Sequence, residues 1–407
     1  MRVTVLIIQG ILILGSCWLF HSRTHQASPW RGSYFSLAAN LRLGGDFLID
    51  TTEVNHFAAL PEIEQKSYRF HRSGNLTKHV LTQIGYGYLC SVARRLFPFF
   101  GDSVSIVLLQ VLVHVLLCLL VLYQLSFWKQ VAFLCLYCVN PVVIKFVTYD
   151  YYYFWQVIPA FTIIHHFMGY KWNRWATVFW GVLLAIVFVT RPSIILAILF
   201  YMGLLYWKGS RTDAMLLGLL LSVLVIILYR PIARSFWFTA YVGLAAYQNP
   251  YVDQLSDLAG YKFYERKTGT PYAHENDLMQ EKRFGAILQE EVIGIVKRDP
   301  WLVLKNTFIN TLLSFSVGYV VGASDWVNYG LAFLGLLIIV YLQAGRQQFY
   351  ILATLATVTT FTLYYPPIPA YMFGAYPLLV LGVIEATQQL FFNYQLNKRG
   401  MNDYVNQ

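Results

Sequence analysis

Three acids and three arginines have the type and placing for group transfer in this 407-residue chain: Asp46, Asp50 and Asp150, and Arg191, Arg230 and Arg234. A carboxylate can take a proton from an attacking hydroxyl or amine, or hold a metal ion, and a guanidinium presents a planar fork that fits a phosphate. Asp46 and Asp50, with Glu53 nearby, fall in the polar stretch 21–102, between the first two apolar runs. Asp150 sits among Tyr149, Tyr151 and Tyr152 at an apolar boundary, where it is expected to cap a helix and to need a partner. Arg191 and Arg230 each stand directly before a proline, Pro192 and Pro231, at the end of an apolar run, and Arg234 follows. Charges at such boundaries are costly and are candidates for function. Together they point to transfer of a group from a phosphate leaving group.

Plainer roles compete with each assignment. Loop acids are usually solvated, and Arg191 can extend its charge to a headgroup while its stem stays in apolar surroundings. His114 and the pair His165–His166 read as packing residues, since adjacent side chains do not share a helix face. Cys135 and Cys138 have a CxxC spacing, but they lie in an apolar run without a second pair, and Cys90 stands alone, so no disulfide framework follows.

The elements that must position these residues are helices in a bilayer. Hydrophobic residues make up 57% of the chain and charged residues 12%, with a mean hydropathy of +0.51. This is the composition of an integral membrane protein. The net charge of +10 suits anionic lipid or a phosphate-bearing substrate, although cytoplasmic Lys and Arg alone make such proteins basic. No nucleic-acid partner is expected. Val3–Phe20 reads as an uncleaved first helix, because no small-residue cleavage motif follows it.

Short basic turns at Lys129, Lys171 and Lys208, together with the tail at Lys398, place those ends in the cytoplasm. The first loop, 21–102, and a second, 230–300, then lie outside. Val131–Val147 is interrupted by Asn140–Pro141 and is expected to be a broken span. Residues 176–207 are expected to form two helices meeting at Arg191–Pro192. The aromatic run Thr148–Trp155 suits a membrane-interface belt, and residues 277–299 an amphipathic helix lying on the membrane surface. Arg346 and Lys398 share the inner side only if 302–321 does not fully cross. The expected fold is an all-α polytopic protein, one integral membrane domain over 1–407, with about 10–11 transmembrane or re-entrant helices.

In chain order, Ile84–Gly–Tyr–Gly–Tyr–Leu, Ala93–Arg–Arg–Leu–Phe, the Asn140–Pro141 break, Asp150, Val189–Thr–Arg–Pro–Ser193, Arg230–Pro–Ile–Ala–Arg234, Arg298–Asp–Pro300 and Tyr364–Tyr–Pro–Pro–Ile–Pro369 resemble GT-C type glycosyltransferases. The nearest branch is the bacterial protein-mannosyltransferase-like and aminoarabinose-transferase-like one. Each motif is short, and their order carries the resemblance over nearly the whole chain.

The resemblance implies transfer of a sugar from a polyprenyl-phosphate donor to a lipid, glycan or protein acceptor, on the outer face of the inner (plasma) membrane. It implies a catalytic acid early in the first outer loop and a second at Asp150. Arg191, Arg230, Arg234 and Tyr365 become the expected substrate-binding residues, with Arg or a divalent metal ion stabilising the leaving phosphate. Where the family has an acid shortly before a Tyr, this chain has Trp30–Arg31 before Tyr34. Either Asp46 or Asp50 takes that role, or the enzyme is divergent or inactive. An O-antigen polymerase or ligase, also rich in outer-loop Arg, is the second reading, and a transporter or lipid flippase the third. Charges gathered at one face and the lack of a two-half repeat speak against the third.

Overall fold

The protein is represented by a computed structural model that describes residues 2–24, 28, 31–42, 53, 56–57, 59–65, 68, 83–168, 174–208, 210–228, 236–272, 278–345 and 347–405. Asp46, Asp50, Arg230 and Arg234 lie outside the described residues, as do Lys171 and Arg346.

Among the described residues all regular structure is helical. Helix α1 (Arg2–Thr24) is followed in the first polar stretch by α2 (Arg31–Arg42) and α3 (Ile84–Leu96), and then by the long α4 (Asp102–Gln124). At about 1.5 Å per residue, the 23 residues of α1 or α4 reach roughly 35 Å, enough for a hydrocarbon core of about 30 Å. Among the described residues, four stretches are long and apolar enough to cross a membrane: Val3–Arg23, Asp102–Gln124, Asp325–Ala344 and Pro369–Gln395. Their apolar side chains Ile8, Ile11, Leu116 and Phe333 lie exposed, surface that a protein folded in water would bury.

The expected broken span is present. Helix α5 (Phe127–Phe133) continues as a π-helical turn, Leu134–Cys138, and then bends by 59° into α6 (Pro141–Val147). Pro141 has no N–H to continue the ladder, and the Asn140 side chain instead accepts the N–H of Val142, starting a new helix. A 3₁₀ turn, Tyr152–Gln156, leads into α7 (Val157–Phe167).

Residues 174–207 form the expected two helices. Helix α8 (Arg174–Thr190) ends at Arg191, which is extended before Pro192, and a 3₁₀ turn then opens α9 (Ile195–Trp207). Helix α10 (Arg211–Leu228) packs against both.

Helices α11 (Phe236–Gly243), α12 (Asp257–Thr268), α13 (Leu278–Arg298) and α14 (Pro300–Leu313) form a second helical unit with its own core. Helix α13 has the expected period, and most of its apolar face is buried within the protein. Phe284, Leu288, Val292 and Ile295 are buried against α11 and α12, with Phe284 beside Phe238 and Tyr264. The period shows that the face is buried, whereas the partner comes from distant residues.

Asp299 caps α14 through the N–H of Leu302, and Pro300 sits at its first position. Its 14 residues reach only about 21 Å, less than the roughly 30 Å of a crossing. The chain then turns at Gly318, whose φ of 88° favours glycine. Helices α15 (Asp325–Ala344), α16 (Gln348–Thr362), the single turn α17 (Pro369–Met372) and α18 (Tyr376–Val405) complete the bundle, with α18 packed on α7, α15 and α16.

Candidate functional site

Four chain segments meet around Arg191. The first is the helix break itself, which brings the side chain out at the end of α8. That end is fixed by α3, where Gly85 lets the helices touch: a Cβ there would lie 2.3 Å from Thr190 Oγ1 and 2.5 Å from the Ile186 carbonyl oxygen. The second is the 3₁₀ turn carrying Tyr152 and Tyr153, and the third is Tyr371, from the single turn after Pro369. Gln156 ties these two together by donating to the Ala370 carbonyl at 3.0 Å. The fourth is Tyr364–Tyr365, held against the second helical unit at Gly243, where a Cβ would meet the Tyr364 carbonyl oxygen at 1.9 Å.

The guanidinium of Arg191 lies 4.4 Å from the centre of the Tyr371 ring, 5.3 Å from Tyr152 and 5.8 Å from Tyr153. One amino group donates to the Tyr152 hydroxyl at 3.1 Å, while the buried Nε–H has no hydrogen-bond partner. No carboxylate among the described residues forms an ion pair with it. The phenols cannot take that place, because burial pushes Tyr153 above its ordinary range and keeps it neutral despite the opposing pull of Arg191. A cation over aromatic rings gains about 0.5–2 kcal/mol. Removing an ion from water costs several kcal/mol, so the cage compensates only part of the charge. Such an Arg can accept an anion, and Nε together with an amino group is the pair that grips two phosphate oxygens.

Sequence reasoning placed Arg191 but missed its cage. The signal was the run Tyr149–Tyr153, read as an interface belt. Tyr151 and Tyr152 are instead buried, as are Phe154 and Trp155 behind them. Tyr365 lies one ring further out, 5.5 Å from Tyr371.

Asp150 is placed differently from expectation. It does not cap a helix: the 3₁₀ turn after it begins from Tyr151, with no side-chain cap. Asp150 is fully buried; Oδ1 accepts the N–H of Ser28 from the first polar stretch, and Oδ2 accepts the hydroxyl of Ser103 from the first turn of α4, each at 2.7 Å. The adjoining Tyr149 carbonyl accepts from Gln110 at 2.8 Å, and Arg94 pairs with Asp102 at 3.7 Å. Asp150 thus joins α4 to the first polar stretch. Tyr152 and Tyr153, two and three residues further on, lie beside Arg191.

Among the described residues no three His, Cys, Asp or Glu side chains come together to hold a metal ion. His114 is buried against the Cys138 carbonyl at 3.0 Å, a packing position as expected. No protein-family model, no curated protein and no solved structure matches the chain.

Proposed function

We infer that the chain is a GT-C-like membrane glycosyltransferase, in which Arg191 holds the phosphate of a polyprenyl-phosphate sugar. One observation carries this reading: a guanidinium at a helix break has three tyrosine rings around it, a buried Nε–H without a partner and, among the described residues, no paired carboxylate. A leaving phosphate supplies the missing charge and both acceptors. The order of motifs along the chain supports the same class, and helices long and apolar enough to cross a bilayer suit a donor whose lipid lies in that bilayer. We take the topology to be about 10–11 transmembrane or re-entrant segments in the plasma membrane, with 21–102 and 230–300 outside.

In this reading an acceptor hydroxyl or amine attacks the anomeric carbon of the sugar. The bond from that carbon to the phosphate oxygen breaks, the acceptor's proton passes to a carboxylate, and the phosphate leaves with its charge against Arg191. Asp46 or Asp50, from the first outer loop, is assigned as the base. Asp150, whose oxygens both accept hydrogen bonds from serines, is assigned as a positioning residue that anchors that loop. Arg230, Arg234 and Tyr365 are assigned to the substrate. No step is derived through a metal ion.

The test is turnover in proteoliposomes with a polyprenyl-phosphate sugar, followed as release of the polyprenyl phosphate. Arg191→Ala should lower the rate and Arg191→Lys restore it only in part, because Lys lacks the fork. Transport of the lipid with no chemical change would instead favour the flippase reading.

A further inference from the structure

An apolar cavity of about 470 Å³ lies between the second helical unit and the bundle, bounded by α9, α11, α13, α14 and the end of α16. Ile195, Phe236, Val296 and Leu363 line it. It borders the Arg191 site: Ile195 follows one turn after Arg191, and Tyr364 is shared between the two.

Two buried polar atoms of this lining have no hydrogen-bond partner. Asn306, 5% exposed, donates its Nδ2 to the Leu244 carbonyl at 3.2 Å, but its buried Oδ1 has no hydrogen-bond partner. The buried hydroxyl of Thr360 has none either. Asn310 also lines the cavity, but its amide is engaged by the Tyr247 hydroxyl and the Thr362 carbonyl. A purely hydrocarbon occupant leaves both unpaired atoms unsatisfied and gives the Asn306 amide oxygen nothing for its lost hydration.

We propose that this cavity binds the chain of a second amphiphile, one that carries a hydroxyl or amide N–H within its buried part, which donates to Asn306 Oδ1. Its identification as the acceptor lipid rests on the glycosyl-transfer reading. The binding site itself rests on the cavity and its unpaired atoms. A polyprenyl chain has no such donor group and belongs to the phosphate at Arg191 instead.

The test measures binding to the full-length, delipidated protein in detergent, using a long-chain N-acyl ethanolamine and its N-methyl, O-methyl analogue, which has no donor. The wild type should bind the first about tenfold tighter, the effect of one buried hydrogen bond. Thr360→Val, which keeps shape, and Asn306→Leu should each narrow that preference, and Val303→Trp, which fills the cavity, should remove both probes. Arg191→Ala should leave both probes bound. Equal binding of the two probes by the wild type, or no effect of Val303→Trp, overturns the proposal. So does competition by polyprenyl phosphate for the ethanolamine probe, which would assign the cavity to the donor. Polyprenyl-phosphate affinity unchanged by Arg191→Ala would defeat the functional reading and leave this site standing.

Discussion

Replacing Asp150 with Asn separates a structural from a chemical role for that residue. Both carboxylate oxygens accept hydrogen bonds at 2.7 Å, from the Ser28 N–H and the Ser103 hydroxyl. Asn keeps the size but offers one acceptor, and its amide NH₂ then faces one of the two donors. A charge-assisted hydrogen bond contributes about 1.5–3 kcal/mol, and a buried donor left unpaired adds about 1–3 kcal/mol. A loss of about 2.5–4 kcal/mol is therefore expected, taking the lower parts of both ranges because the serine hydroxyl can rotate to the remaining acceptor. The assay is the thermal unfolding midpoint in detergent, read beside turnover. Ser103→Ala should cost less and combine non-additively with Asp150→Asn, by more than about 0.5 kcal/mol, since the two share one bond. An Asn variant as stable as wild type, with turnover down by about 100-fold or more, would refute the positioning role and restore Asp150 as a base.

Three further outcomes are expected. Gly243→Ala should destabilise the protein by about 1–3 kcal/mol, because its methyl enters the Tyr364 carbonyl and the two chains must separate. Leu288→Ala should cost about 2–5 kcal/mol and first expose the second helical unit to protease, since that side chain is completely buried in a core separate from the bundle. A Cys placed at Thr268 should react with an impermeant reagent from outside, while one at Lys208 should react only after the membrane is opened; the reverse pattern would invert the topology.

The fold was legible wherever local chemistry decides it. Pro141 and Pro192 break helices whatever surrounds them, and the expected segments ended there. The apolar period of 277–299 identified α13 as a helix with one buried face, but not the face's partner, because Phe238 and Tyr264 reach it through folding of the whole second unit. The tyrosine run 149–153 failed for the same reason: aromatic density suits an interface belt or an interior cage equally, and only the approach of Arg191 and Tyr371 distinguishes them. Asp150 was singled out correctly as an acid needing partners, yet Ser28 and Ser103 are remote in sequence and carry no pattern of their own. The chemistry expected of Asp46, Asp50, Arg230 and Arg234 falls on positions outside the described residues.

Affinity for a polyprenyl phosphate is the most direct measure of whether Arg191 receives the anion. Wild type, Arg191→Ala and Arg191→Lys should be compared in detergent at fixed ionic strength, with the matching polyprenyl alcohol as the uncharged control. One charge-assisted bond at about 1.5–3 kcal/mol predicts that Ala weakens phosphate binding by about 10- to 100-fold, with Lys in between and the alcohol unaffected. Equal affinity of all three proteins for the phosphate would contradict the account.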